Sequence, residues 1–154
     1  MAAVARKRLP LSFCSENLDL KSMKYFTLGE LCRSAVADAR GIKNTCSKEQ
    51  AENLIELVTK VLDPLRELYG KSITVNSGYR CAALNKAVGG AATSQHLRAE
   101  AADITGGSPE ENRKLIELIK KHLPYDQLID EKNGAWVHVS YKRIGLNRHQ
   151  FLKL

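Results

Sequence analysis

The sequence predicts an α+β fold, a single domain in which helices flank one small antiparallel sheet. Two amphipathic runs open with capping boxes, one at Ser47 to Gln50 and one at Ser108 to Glu111, and such boxes mark helix N-termini. A β-branched and aromatic segment, Trp136 to Tyr141, follows Gln127 to Ile129 across Asn133-Gly134, which is typical of a hairpin. With 154 residues, the chain is long enough to bury a core of its own.

The N-terminal half supplies most of the predicted helices. Phe26 to Leu31 predicts a short helix in which Thr27 is the cap. The longest helix begins at Ser47, carries leucine, isoleucine and valine at helical spacing and ends at Gly70. Because a proline inside a helix removes a backbone donor, Pro64 should kink or split it near Leu62.

The C-terminal half alternates strands and helices. Ile73 to Val75 predicts a short strand, and residues 81–88 predict a short helix that Gly89 ends. A helix then runs from Ser108 to about His122, with a proline at its first position. Strand ends and loops over a single small sheet would let side chains from residues 96, 103 and 138 converge.

Charge and cysteine content narrow the function classes. Lysine and arginine number 24 against 17 acidic residues, giving +7, which suits a polyanionic partner. The basic residues are scattered and aromatic residues make up only 6% of the chain, so nucleic acid is not the expected partner. Four cysteines, at positions 14, 32, 46 and 81, lack metal-finger spacing, and we expect reduced thiols, although their even number permits a disulfide.

Three polar residues stand in otherwise apolar surroundings: His96, Asp103 and His138. Two imidazoles and one carboxylate form a complete protein ligand set for a catalytic zinc, whose fourth position stays open. On spacing alone, the alternative is that His138 is a hydrogen-bonded core histidine and Asp103 caps a turn before Gly106. No compact metal motif decides between these interpretations.

The segments around these residues are more specific. In order along the chain they are Ser77-Gly78-Tyr79-Arg80, Leu84-Asn85, Val88-Gly89-Gly90, Ser94-Gln95-His96 with Asp103 seven residues on, and Trp136-Val137-His138-Val139-Ser140. Together they resemble the zinc D-alanyl-D-alanine carboxypeptidases, in particular the short branch found in bacteria and phage lysins, over about residues 25–141. The resemblance implies the fold shared with the hedgehog signalling domain. It also implies one zinc ion held by His96, Asp103 and His138, and hydrolysis next to D-alanine in peptidoglycan.

The general base departs from the common family pattern, because many relatives carry an acid three residues before the second histidine and this chain has Ala135 there. The nearest carboxylates are Asp130 and Glu131. In this branch a Gln-Leu-Ile-x-Glu segment precedes the tryptophan strand, which favours Glu131 as the base and later as the acid to the leaving amine. The alternative is that both acids only begin an exposed turn.

Arg80 is the other candidate catalytic residue, because the resemblance places it at the active site. Its planar guanidinium suits a substrate carboxylate or a polarised carbonyl oxygen, and the alternative is a structural salt bridge. Ser94 and Gln95 precede a ligand, and they are predicted to bind substrate or to fix the imidazole. A non-catalytic wall-binding module, or an endopeptidase or dipeptidase with the same centre, remain alternatives.

Residues 1–22 are predicted to be a flexible extension to a domain spanning 23–154. Basic residues at 6–8 precede an apolar run that is too short, and interrupted by Pro10, for a signal peptide. We therefore expect a monomeric protein without a membrane span, made in the cytoplasm, that reaches peptidoglycan through phage lysis or another route.

Overall fold

The computed structural model describes residues 23–154, so the predicted extension at 1–22 lies outside the described residues. The helices are α1 (Leu28–Cys32), α2 (Ala35–Arg40), α3 (Lys48–Leu57), α4 (Asp63–Tyr69), α5 (Ala82–Ala87) and α6 (Pro109–His122). The strands are β1 (Thr74–Ser77), β2 (Ala101–Thr105), β3 (Gln127–Glu131), β4 (Trp136–Ser140) and β5 (Gln150–Lys153). This arrangement confirms the predicted α+β class.

The five strands form one sheet in the order β1-β2-β4-β3-β5. The first four strands in this order pair in antiparallel fashion, as predicted, and β3 and β4 form the predicted hairpin. β5 adds a parallel edge strand in which Gln127 is opposite Gln150. The sequence does not predict β5, because four residues are too few to establish an alternating pattern and its partner strand lies about twenty residues earlier in the chain.

The long N-terminal helix is interrupted where its proline predicted. Ser47 accepts a hydrogen bond from the backbone of Gln50, whose side chain accepts one from Ser47 in return, so the capping box is confirmed. A π-helical turn, Val58–Leu62, separates α3 from α4, and Pro64 lies in the first turn of α4. Since the proline ring crowds the carbonyl four residues earlier and offers no N–H, a wider turn accommodates it.

The two faces of the sheet carry different kinds of side chains. Val137 and Val139 are fully buried in a core that they form with the helices, whereas His138 points to the opposite face. Asp103 lies in the middle of β2, so the alternative that it caps a turn is wrong. Polar side chains thus lie on one face of the sheet, while the helices cover the other face.

Two further expectations concern cysteines and membranes. Cys32, Cys46 and Cys81 are free thiols, and the Sγ atoms of Cys32 and Cys46 lie 3.9 Å apart. Within residues 23–154, every helix is too short or too polar to cross a lipid bilayer.

Candidate metal centre

The register of the sheet brings the predicted ligands together. Asp103 on β2 is directly opposite His138 on β4, while Ser77 lies beside Asp103 on its other side. On the far side of β4, Ile129 is opposite His138. Directly opposite side chains share a face, so a single row crosses four strands at the level of the site.

His96 reaches this row from outside the sheet. It lies in a 3₁₀ helix, Gln95–Arg98, in which the Ser94 hydroxyl accepts a hydrogen bond from the His96 backbone N–H. Its ring donates from Nδ1 to the Gly78 carbonyl at 2.7 Å. A Cβ on Gly78 would lie 2.1 Å from the carbonyl oxygen of Leu31, so only glycine fits at this close approach.

The three side chains converge on one carboxylate oxygen. Asp103 Oδ1 lies 3.2 Å from His96 Nε2 and 3.0 Å from His138 Nδ1. His96 is 2% exposed, and Asp103 and His138 are each 8% exposed.

The hydrogen bonds behind the imidazoles determine what faces the carboxylate. The Gly78 carbonyl can only accept, so His96 Nδ1 carries the proton and Nε2 presents a lone pair. His138 Nε2 lies 2.8 Å from Gln95 Oε1, another acceptor, so His138 Nδ1 also presents a lone pair. Two lone pairs and a carboxylate oxygen therefore face one another, and a cation satisfies all three.

Arg80 lies on the β1 side of this cluster. Its Nη2 donates to Asp103 Oδ2 at 3.4 Å, its Nε donates to Ser77 Oγ and its Nη1 donates to Asn85 Oδ1. The guanidinium thus contacts the carboxylate oxygen that the imidazoles leave free. A salt bridge to Asp103 is present, and it lies inside the site rather than apart from it.

Gln95 lies behind His138. Its Oε1 accepts from His138, and its Nε2 donates to Asp126 Oδ2 at 2.9 Å. Of the two roles that the sequence left open, this geometry corresponds to fixing the imidazole. No sequence pattern points to Asp126 and its partner Arg148, although Asp126 directly precedes the predicted strand that begins at Gln127.

The two candidate bases point to opposite faces. Glu131 is opposite Trp136 and shares the His138 face, whereas Asp130 is opposite Val137 on the core face. Within residues 23–154 the half-exposed Glu131 carboxylate makes no hydrogen bond or ion pair. Asp130 Oδ1 instead accepts from the Gly134 backbone N–H at 2.7 Å, which closes the hairpin turn.

Comparisons with known proteins agree with this geometry. The family model described as Peptidase M15 matches residues 24–140. The zinc D-Ala-D-Ala carboxypeptidase of Streptomyces albus G is 38% identical over 84 residues, which are 54% of this chain and 32% of that protein. The chain thus matches about a third of that relative's length. These matches confirm the resemblance drawn from the motifs. The chain therefore belongs to the peptidase M15 family, and its His–Asp–His cluster supports a zinc metallopeptidase.

Proposed function

We propose that the protein hydrolyses peptide bonds next to D-alanine in peptidoglycan stem peptides, as a D-Ala-D-Ala carboxypeptidase-type zinc peptidase. The observation that carries the proposal is the buried set of three acceptors from His96, Asp103 and His138. Three protein ligands of the N₂O type are typical of a catalytic zinc and leave a fourth position for water or substrate. The substrate class is supported by the similarity to the Streptomyces D-Ala-D-Ala carboxypeptidase.

The ligand roles follow from the contacts. His96 and His138 would bind through Nε2 and Nδ1, because their other nitrogens donate to fixed acceptors. Asp103 would bind through Oδ1 and keep Oδ2 for Arg80. A zinc ion held there would supply Lewis acidity, polarising the scissile carbonyl and making water a better nucleophile at neutral pH.

Glu131 would take the proton from the attacking water. Since Ile129 is directly opposite His138, Glu131 is the diagonal neighbour of His138 on the same face, with Cα atoms about 7–8 Å apart. The Glu131 carboxylate would reach the attacking water across this distance. The same carboxyl group, once protonated, would protonate the leaving amine.

Arg80 and Ser94 would bind the substrate. Each terminal nitrogen of the Arg80 guanidinium has a second hydrogen beyond its bond to Asn85 or Asp103, and these hydrogens suit a C-terminal carboxylate or a developing oxyanion. The Ser94 hydroxyl accepts from the His96 backbone, so its own proton is available to substrate. Gln95 would contribute through its one remaining amide hydrogen.

The test is digestion of a stem pentapeptide ending in D-Ala-D-Ala, and of purified peptidoglycan, by the zinc-loaded protein with mass spectrometry of the products. Released D-alanine supports carboxypeptidase action, whereas cleaved cross-links would indicate an endopeptidase. His138→Ala should lose zinc and turnover together. If the wild-type protein binds zinc but cleaves neither substrate, the proposal is wrong and a wall-binding module takes its place.

A further inference from the structure

We infer that Arg148, Asp126 and Gln95 form a positioning chain that fixes the imidazole of His138 for the metal. The inference rests on the proposed zinc site. Arg148 lies beyond residue 140, where the family match ends. The segment that follows β4 would therefore contribute to metal affinity although the family match does not include it.

Asp126 is the central residue of this hydrogen-bonded series of side chains. Its side chain is fully buried, and it accepts four hydrogen bonds from two residues. Three come from Arg148, through the backbone N–H at 3.0 Å, Nε at 3.0 Å and Nη2 at 2.8 Å. The fourth comes from Gln95 Nε2. A buried carboxylate needs such compensation, and the two-point contact with a guanidinium is among the strongest available.

The hydrogen-bond donors and acceptors of these side chains are ordered in one direction, from Arg148 to His138. Because the ionised Asp126 carboxylate can only accept, it orients the Gln95 amide with Nε2 towards itself and Oε1 towards His138. Oε1 can in turn only accept, so His138 must donate from Nε2. The lone pair of His138 is then on Nδ1, the atom that faces Asp103 Oδ1 at 3.0 Å. Reversing the amide would favour the tautomer that points a proton at the metal position.

Arg148 keeps Asp126 in the state that this polarity requires. Its hydrogen bonds outweigh the effect of burial and hold the pKa of Asp126 below its usual value. Backbone bonds from His149 to Tyr125 and from Gln150 to Asp126 attach the residues after Arg148 to the residues just before β3. Backbone pairing that leads into β5 therefore holds the guanidinium against the carboxylate.

The experiment measures zinc affinity by competition with a fluorescent chelator, using the full chain. Removing a partner behind a metal ligand commonly lowers metal affinity by about 10- to 100-fold, and we expect this loss for Arg148→Ala. Gln95→Leu should show a similar loss. Since both act through the same imidazole, the double variant should lose little more than either single variant, whereas independent structural effects would add.

Arg143→Ala is the matched control. Arg143 lies in the same segment and pairs with Glu52 and Asn53, away from His138. Its zinc affinity should equal that of the wild-type protein. Absorption of the cobalt-substituted protein provides a second readout, because a changed His138 geometry alters the ligand field while a general loss of stability does not.

Wild-type zinc affinity in a folded Arg148→Ala protein would overturn the inference. If that variant does not fold, Arg148→Lys decides, since lysine keeps the charge but loses the two-point contact. An unchanged affinity and cobalt spectrum would then overturn the inference. Neither readout requires peptidase activity, so wild-type protein that binds zinc but cleaves nothing would refute the proposed function and leave this inference standing.

Discussion

Changing Glu131 to glutamine tests the proposed general base with little disturbance of the fold. Glutamine keeps the size of the side chain and removes its basicity. Within residues 23–154, the Glu131 carboxylate has no hydrogen bond or ion pair to lose, and the side chain is partly exposed. The free energy of unfolding should therefore change by less than about 0.5 kcal/mol, as for most surface substitutions.

The effect on turnover should be far larger. A positioned general base contributes about 10²- to 10⁴-fold to the rate. At about 1.36 kcal/mol per tenfold change, that loss is about 2.7–5.4 kcal/mol of transition-state stabilisation. Because Glu131 is not one of the three proposed zinc ligands, zinc content should stay at the wild-type level.

Asp130→Asn is the matched control, since it removes the neighbouring carboxylate on the other face of β3. Asparagine keeps the oxygen that accepts from the Gly134 backbone, so the hairpin turn should persist. The assay is kcat on a D-Ala-D-Ala-terminated stem peptide, together with zinc content and thermal melting of both variants. Full activity in Glu131→Gln with a large loss in Asp130→Asn would refute the reasoning from strand parity.

Three other perturbations have outcomes that the structure predicts. Removing zinc with a chelator should abolish turnover and lower Tm, because zinc at 100 times its Kd adds about 2.7 kcal/mol to the folded state; an unchanged melting curve would contradict a site that binds only the folded protein. Leu65→Ala, at a fully buried position in α4, should cost about 2–5 kcal/mol in a denaturant titration, and a smaller loss would show that the core collapses around the cavity. Arg148→Ala should have a lower Tm than the wild-type protein, and this Tm difference should be largest near pH 6 and shrink as the pH falls below about 4. The folded-state pKa of Asp126 is depressed, so its contribution is present above the unfolded value near 3.9 and is lost on protonation. A difference that stays constant down to pH 2 would exclude this ion pair as its source.

Local signals in the sequence were sufficient for most of the fold. Ser47 and Ser108 each cap a helix in the structure, although only Ser47 forms the full reciprocal box, and the interruption before Pro64 appears as a π-helical turn. These features depend on residues three or four positions apart, which is the range that a sequence pattern reports. The alternation of side chains along a strand, which places Glu131 and Asp130 on opposite faces of β3, is equally local and is present in the sheet.

What the sequence did not predict depends on contacts between distant residues. β5 exists because its strand pairs with β3, and α2 is a six-residue helix with little periodicity. The link from Gln95 to Asp126 spans 31 positions, and the link from Asp126 to Arg148 spans 22. Neither pair has a spacing that points to its partner, so only the folded chain shows that they meet.

A single rule of donor and acceptor polarity accounts for the ligand set of the site. Each proposed ligand is held from behind by a group that leaves its metal-facing atom an acceptor. The Gly78 carbonyl does this for His96, Gln95 for His138, and Arg80 for Asp103 by taking Oδ2. Because these contacts come from the protein's own groups, binding of a metal ion would cost little side-chain entropy, and the ion would satisfy three acceptors that otherwise face one another.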